Sequence, residues 1–134
     1  MPAVLVLLRQ GVAMVPMTDE LFDAVTEGAT DGPLGFRKLP GGFDRVLADW
    51  SAAGWIGYVE AEYFGGVGSQ RAALWADGHL TVGPLCVAEG QDWPAEGSPI
   101  SRVLARLGVD RTGHYDEFDA AGLAEHRDTE DWLP

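Results

Sequence analysis

Residues 56–85, "IGYVEAEYFGGVGSQRAALWADGHLTVGPL", decide the fold. Two breaks divide the stretch into three β-prone runs. The sharper break is Asp77-Gly78. Both residues tolerate the positive φ of a type I′ turn, whose twist matches that of the strands it joins. Gly65, Gly66 and Gly68 make the other break. The runs 56–64, 71–76 and 79–85 therefore predict a three-stranded antiparallel meander.

The glycine-rich "GGVGSQ" also invites a phosphate-loop reading. That chemistry needs backbone N–H groups opening onto a helix N-terminus. The following "RAALWADG" reads instead as a strand ending in a hairpin, and neither a Gly-Lys-Ser/Thr nor a GxGxxG pattern is present. The glycines are expected to serve a tight or bulged turn.

Register follows from the Asp77-Gly78 turn. It pairs Trp75 with Leu80 and Ala73 with Val82, setting these four on one face. Val59, Ala61 and Tyr63 are expected to join them as a core face. Tyr58, Glu60, Glu62 and Phe64 then occupy the opposite face with Leu74 and Thr81. A slip of one residue would turn both glutamates inward, and burying two unpaired carboxylates is costly. Carboxylates two residues apart on a strand project the same way, about 7 Å apart. Such a pair can receive an arginine or lysine of a partner, hold a divalent ion, act as an acid/base pair, or lie at the wet margin of covering helices.

Working toward the N-terminus, "GFDRVLADWSAAGW" predicts a helix. Its apolar stripe is Phe43, Val46, Leu47, Trp50 and Ala53, with Asp44, Arg45, Asp49 and Ser51 left to solvent and Gly54 as C-cap. "TDELFDAVTEG" predicts another, capped by Thr18, striped by Leu21, Phe22 and Val25, and ended by Gly28. Before it, "AVLVLLRQGVAMVPMT" reads as two strands about a Gln10-Gly11 turn. The first is apolar enough to lie centrally with both faces covered.

Beyond the meander, "SPISRVLARLG" is a compact helix sentence. Ser98 caps it, Pro99 sits at the first helical position, Ile100, Val103, Leu104 and Leu107 form its stripe, and Gly108 stops it. A short helix is expected at residues 116–121. The acidic segment 124–134 is expected as a solvated, flexible tail. The whole is expected to be one α+β domain over residues 1–134: a mostly antiparallel sheet of about five strands, from the hairpin and the meander, with three to four helices.

Composition narrows function. A formal net charge of −12 should repel nucleic acid and anionic membrane and attract basic surfaces. Residues 110–134 carry eight acids against two arginines, a local net of −6 and so half of the total. Cys86 is the one cysteine, which rules out an intramolecular disulfide. Its apolar neighbours predict a buried thiol. The opening residues have no basic region before the apolar run and no cleavage motif, so a cytoplasmic chain is expected. His114, Asp116, Asp119, His126 and Asp128 are ligand types that match no spaced metal motif. No metal or cofactor is expected.

Three segments carry a resemblance: "YFGGVGSQRAALW", "SPISRVLARLGV" and "DEFDAAGLAEHRDTEDW". Together they resemble a group of small uncharacterised acidic bacterial proteins. In size, charge and fold class these are similar in character to the immunity proteins of polymorphic toxin systems. The resemblance implies binding of a basic protein partner. The expected contact residues are Tyr58, Glu60, Glu62, Phe64 and Trp132, with Asp128, Glu130 and Asp131 steering. Two other readings compete. One is a small enzyme or ligand-binding domain with Glu60, Glu62 and His79 lining a pocket. The other is a homodimer formed through the outer sheet face.

Overall fold

The computed structural model describes residues 4–25, 36, 39, 42–64, 67–88, 91–92, 94–95, 97–125 and 129–132; for residues 25, 62–64, 67 and 124 it describes the backbone alone. The fold is α+β. Strands β1 (Val6–Leu7) and β2 (Ala13–Met14) form an antiparallel ribbon. Helix α1 (Asp19–Val25) and helix α2 (Phe43–Trp50) follow. The meander is β3 (Ile56–Phe64), β4 (Val67–Ala76) and β5 (His79–Val87), in that spatial order. Helices α3 (Pro99–Arg106) and α4 (Glu117–Ala121) come next, and a 3₁₀ turn spans Thr129–Trp132. The hairpin and the meander are thus separate sheets, where one sheet of about five strands was expected. Among the described residues, no helix is long and apolar enough to cross a membrane.

The Asp77-Gly78 turn forms as its chemistry requires, with φ of 52° and 82°. It seats Trp75 opposite Leu80. The ladder then slips: bulges flank Leu74, so Val82 faces Leu74 and not Ala73. At the same level Gly83 adopts φ +87°, and the Gly83–Pro84 peptide is cis. A Cβ on Gly83 would stand 2.7 Å from the Leu85 nitrogen and 2.8 Å from the Ala72 oxygen. The bulge therefore depends on a residue without a side chain.

Both faces of the meander are covered. On one, Trp75 and Ala73 pack with Phe43 and Leu47 of α2 and with Phe36 and Leu39. On the other, Ala72 and Leu74 meet Val103 of α3, with Val59, Val82 and Leu107 around them. Every residue from Ala72 to Ala76 is consequently buried. Leu74, expected on an outer face, has no exposed surface.

Polar side chains fix the layers to one another. Ser51, expected in solvent, is buried at the end of α2. Its hydroxyl donates to the Ala48 oxygen at 2.6 Å and accepts from the Gly78 N–H at 2.9 Å. Its carbonyl accepts from the Asp77 N–H at 3.1 Å. One serine thus satisfies both amides of the hairpin turn. Buried Gln70 of β4 accepts from the Ile100 N–H at 3.0 Å, an amide in the first turn of α3 that has no partner within the helix. Ser98 caps the same helix through the Ser101 N–H, as its sequence predicts.

The ribbon packs elsewhere. Leu8, Val12 and Met14 lie against the cluster that α3 and α4 build from Ile100, Leu104, Val109, Ala120, Ala121 and Leu123. Gln10, at the ribbon turn with φ 61°, uses its amide as a second backbone. It donates to the Asp110 oxygen and accepts from the Asp110 N–H, both at 2.8 Å. The first strand is therefore not central. It is short, in a sheet of its own, and alternates between half-buried and exposed residues.

Candidate partner-binding surface

Tyr58 and Glu60 lie on the face opposite to the one expected. Tyr58 pairs with Ala73, Val59 with Ala72 and Glu60 with Arg71, so Tyr58 and Glu60 share the α2 side with Ala73 and Trp75. The Tyr58 ring meets Phe36 edge to face, with centroids 4.9 Å apart. Its hydroxyl donates to Glu60 Oε2 at 2.9 Å. Arg71 stands directly across the ladder from that carboxylate. The slip that was expected to be too costly is tolerated because Glu60 is only half-buried, receives the Tyr58 hydroxyl and stands opposite Arg71 in the ladder.

Burial pushes the Tyr58 phenol far above its ordinary value of 10.0, and the neighbouring Glu60 charge and its hydrogen bond push the same way. The folded state keeps this proton where the unfolded chain loses it. The stability that Tyr58 contributes is thus full below pH 10 and falls as pH rises above it, by about 1.4 kcal/mol per pH unit. Tyr58→Phe is expected to flatten this alkaline slope in urea titrations at successive pH values. An unchanged slope would show that the phenol ionises in place.

Glu62 and Phe64 continue β3, opposite Ser69 and Val67, and their side chains lie outside the described residues. His79 pairs with Ala76, whereas Glu60 pairs with Arg71. That separation of five positions along β4 is roughly 17 Å, so the structure does not bring Glu60 and His79 together. Cys86, expected to be buried, is exposed on edge strand β5 opposite Arg71.

The C-terminal residues divide in the same way. Asp128 lies outside the described residues. Glu130 accepts from the Asp19 N–H at 3.3 Å and so caps α1. Thr18 completes that cap through the Leu21 N–H at 3.1 Å. Trp132 is half-buried against the α3–α4 cluster, an anchor into this chain's own core. Asp131 is exposed. Asp19, Glu20, Glu130 and Asp131 therefore gather where α1 begins, and neither α1 nor the Thr129–Trp132 turn contains a basic residue. His114 Nδ1 meets the Asp119 carboxylate at 3.1 Å. Among the described residues, no three His, Cys, Asp or Glu side chains are grouped to hold a metal ion.

One surface had no signal in the sequence analysis. Leu5 is 67% exposed, Leu7 79% and Val15 45%, all on the outer face of the ribbon. A continuous apolar run conceals which of its faces is covered. Comparison with protein-family models, with curated proteins and with solved structures found no match.

Proposed function

We propose that this chain is an acidic protein-binding module that occupies a basic surface of a protein partner, as a toxin-neutralising immunity protein does. The observation that carries the reading is the set of carboxylates at the start of α1. Asp19, Glu20, Glu130 and Asp131 stand together there without a basic residue in either segment, on a chain of formal net charge −12. The Asp19 amide donates to Glu130, which tethers the Thr129–Trp132 turn to the start of α1 and brings the two acidic segments side by side. A fixed field of one sign accelerates encounter with an oppositely charged surface and discriminates against acidic partners. Tyr58 and Glu60 have internal duties in this reading, and the charged contact rests on Glu20 and Asp131.

The test begins with capture of partners from the native host at low salt and purification of whichever basic protein is retained. Binding of that protein is then measured for the wild type and for Glu20→Lys with Asp131→Lys. The double reversal is expected to weaken binding about 10- to 100-fold, mainly through slower association, and added salt is expected to weaken the wild type. Affinity indifferent to both salt and charge reversal would overturn the reading.

A further inference from the structure

The ribbon differs from the meander in one respect: among the described residues, nothing packs on its outer side. Val6, Leu8, Val12 and Met14 are half-buried. Leu5, Leu7, Ala13 and Val15 are exposed. Leu7 faces Ala13, and the same register continued brings Leu5 opposite Val15. These four residues thus form one apolar patch across both strands.

The open edge of β1 can be identified from one hydrogen bond. The Leu8 N–H donates to the Val12 oxygen at 2.8 Å, so Leu8 and Val12 are a hydrogen-bonded pair. Antiparallel pairs alternate, which makes Val6 and Met14 the next such pair. The N–H and C=O groups of Leu5 and Leu7 consequently point away from β2. Among the described residues, β1 pairs with no strand on that side. Residues 4–8 also contain no charge, proline or glycine, the usual protections of an exposed edge.

Charge selects the occupant. β2 leads through Val15–Thr18 directly to Asp19, where the carboxylates of Glu20, Glu130 and Asp131 gather. A second copy of this chain would bring a like net charge of −12 and the same carboxylates against it. A basic segment would instead neutralise those present.

We infer that an extended segment of a protein partner, alternating apolar and basic residues, adds to the free edge of β1 as a third strand. Its apolar side chains line up beside Leu5 and Leu7 on the outer face, and its basic residues extend past Leu5 at the end of the ribbon from which β2 leads to α1. Backbone hydrogen bonds to Leu5 and Leu7 give affinity, and the alternating side chains give specificity. This inference rests on the proposed function and adds the mode and place of binding.

The probe is a blocked peptide of alternating lysine and valine, with a glutamate–valine peptide as control, followed by NMR of the full chain. The lysine peptide is expected to shift amide signals at residues 4–8 and to slow hydrogen exchange at the Leu7 amide at least tenfold. The glutamate peptide should do neither. Leu7→Pro removes the donor that faces the open edge and leaves the Leu8–Val12 bond in place, and it should weaken the lysine peptide at least tenfold. Leu5→Lys with Leu7→Lys should do the same, in case proline disturbs the ribbon.

Shifts confined to other surfaces, or affinity indifferent to both variants, would overturn the inference. So would a Leu7 amide already protected in a chain that sediments as a dimer, because a second copy would then hold the edge. The proposed function fails separately. If Glu20→Lys with Asp131→Lys weakens the captured partner while Leu7→Pro does not, the acidic module stands and strand addition falls. If the partner responds to neither salt nor charge reversal, the acidic reading falls first.

Discussion

Gly83→Ala is expected to destabilise the protein by about 3 kcal/mol or more. Two causes add. Gly83 has φ +87°, a region that an L-residue occupies only under strain. Its new Cβ would also stand 2.7 Å from the Leu85 nitrogen and 2.8 Å from the Ala72 oxygen. Both are backbone atoms of the β4–β5 pair, so relief requires the ladder itself to shift. Gly78→Ala separates the causes: φ is +82° there, but nothing lies within 4 Å of the added carbon. That control should cost only about 1–2 kcal/mol, the conformational penalty alone. Urea unfolding followed by tryptophan fluorescence measures both, and equal losses would refute the steric account of the bulge.

Leu74→Ala should cost about 2–5 kcal/mol. Leu74 has no exposed surface and lies among Val59, Val82, Val103 and Leu107. Truncation leaves a void between the central strand and α3, with β4 held on both sides by its neighbours and poorly able to collapse into it. Leu80→Ala, 38% exposed on the edge strand, is the comparison and should cost under about 1 kcal/mol. The pair tests the layered arrangement directly. A loss at Leu74 as small as that at Leu80 would mean that α3 does not cover this face.

Those two residues also mark where the sequence stops being legible. The α3 segment is legible because its signals are local and agree: a capping Ser98, Pro99 at the first position, a 3.6-residue stripe and Gly108. The Asp77-Gly78 turn is legible for the same reason. The register beyond the turn is not. It changes at Leu74 because Gly83, nine residues further on, permits a bulge, and a contact of that kind leaves no periodic trace. The facing of β3 fails for a different reason. Both sides of the meander are covered, so Ile56 and Tyr58 compete with Val59 on equal terms. Glu60 was expected to decide the matter as an unpaired carboxylate, but Tyr58 and Arg71 come to it from the same face.

The candidate surface was legible in its charge and not in its shape. The acidity of the last residues is plain in composition, whereas the bond from the Asp19 amide to Glu130 joins residues 111 positions apart. Ser51 read as a solvent residue and Gln70 as part of the glycine-rich turn because their partners, Gly78 and Ile100, lie in other elements. Leu5 and Leu7 were indistinguishable from their neighbours in an unbroken apolar run.

The Gln10–Asp110 clip and the Arg9–Glu125 ion pair span 100 and 116 positions. They make the beginning of the polypeptide depend on its later portion. A nascent chain emerging from the ribosome exposes Leu8, Val12 and Met14 early, long before α3 and α4 have been translated to receive them. The meander can pair first from nearby strands, while the ribbon waits for synthesis to pass residue 125. Throughout that interval the inner face of the ribbon lacks the α3–α4 cluster that covers it in the finished fold.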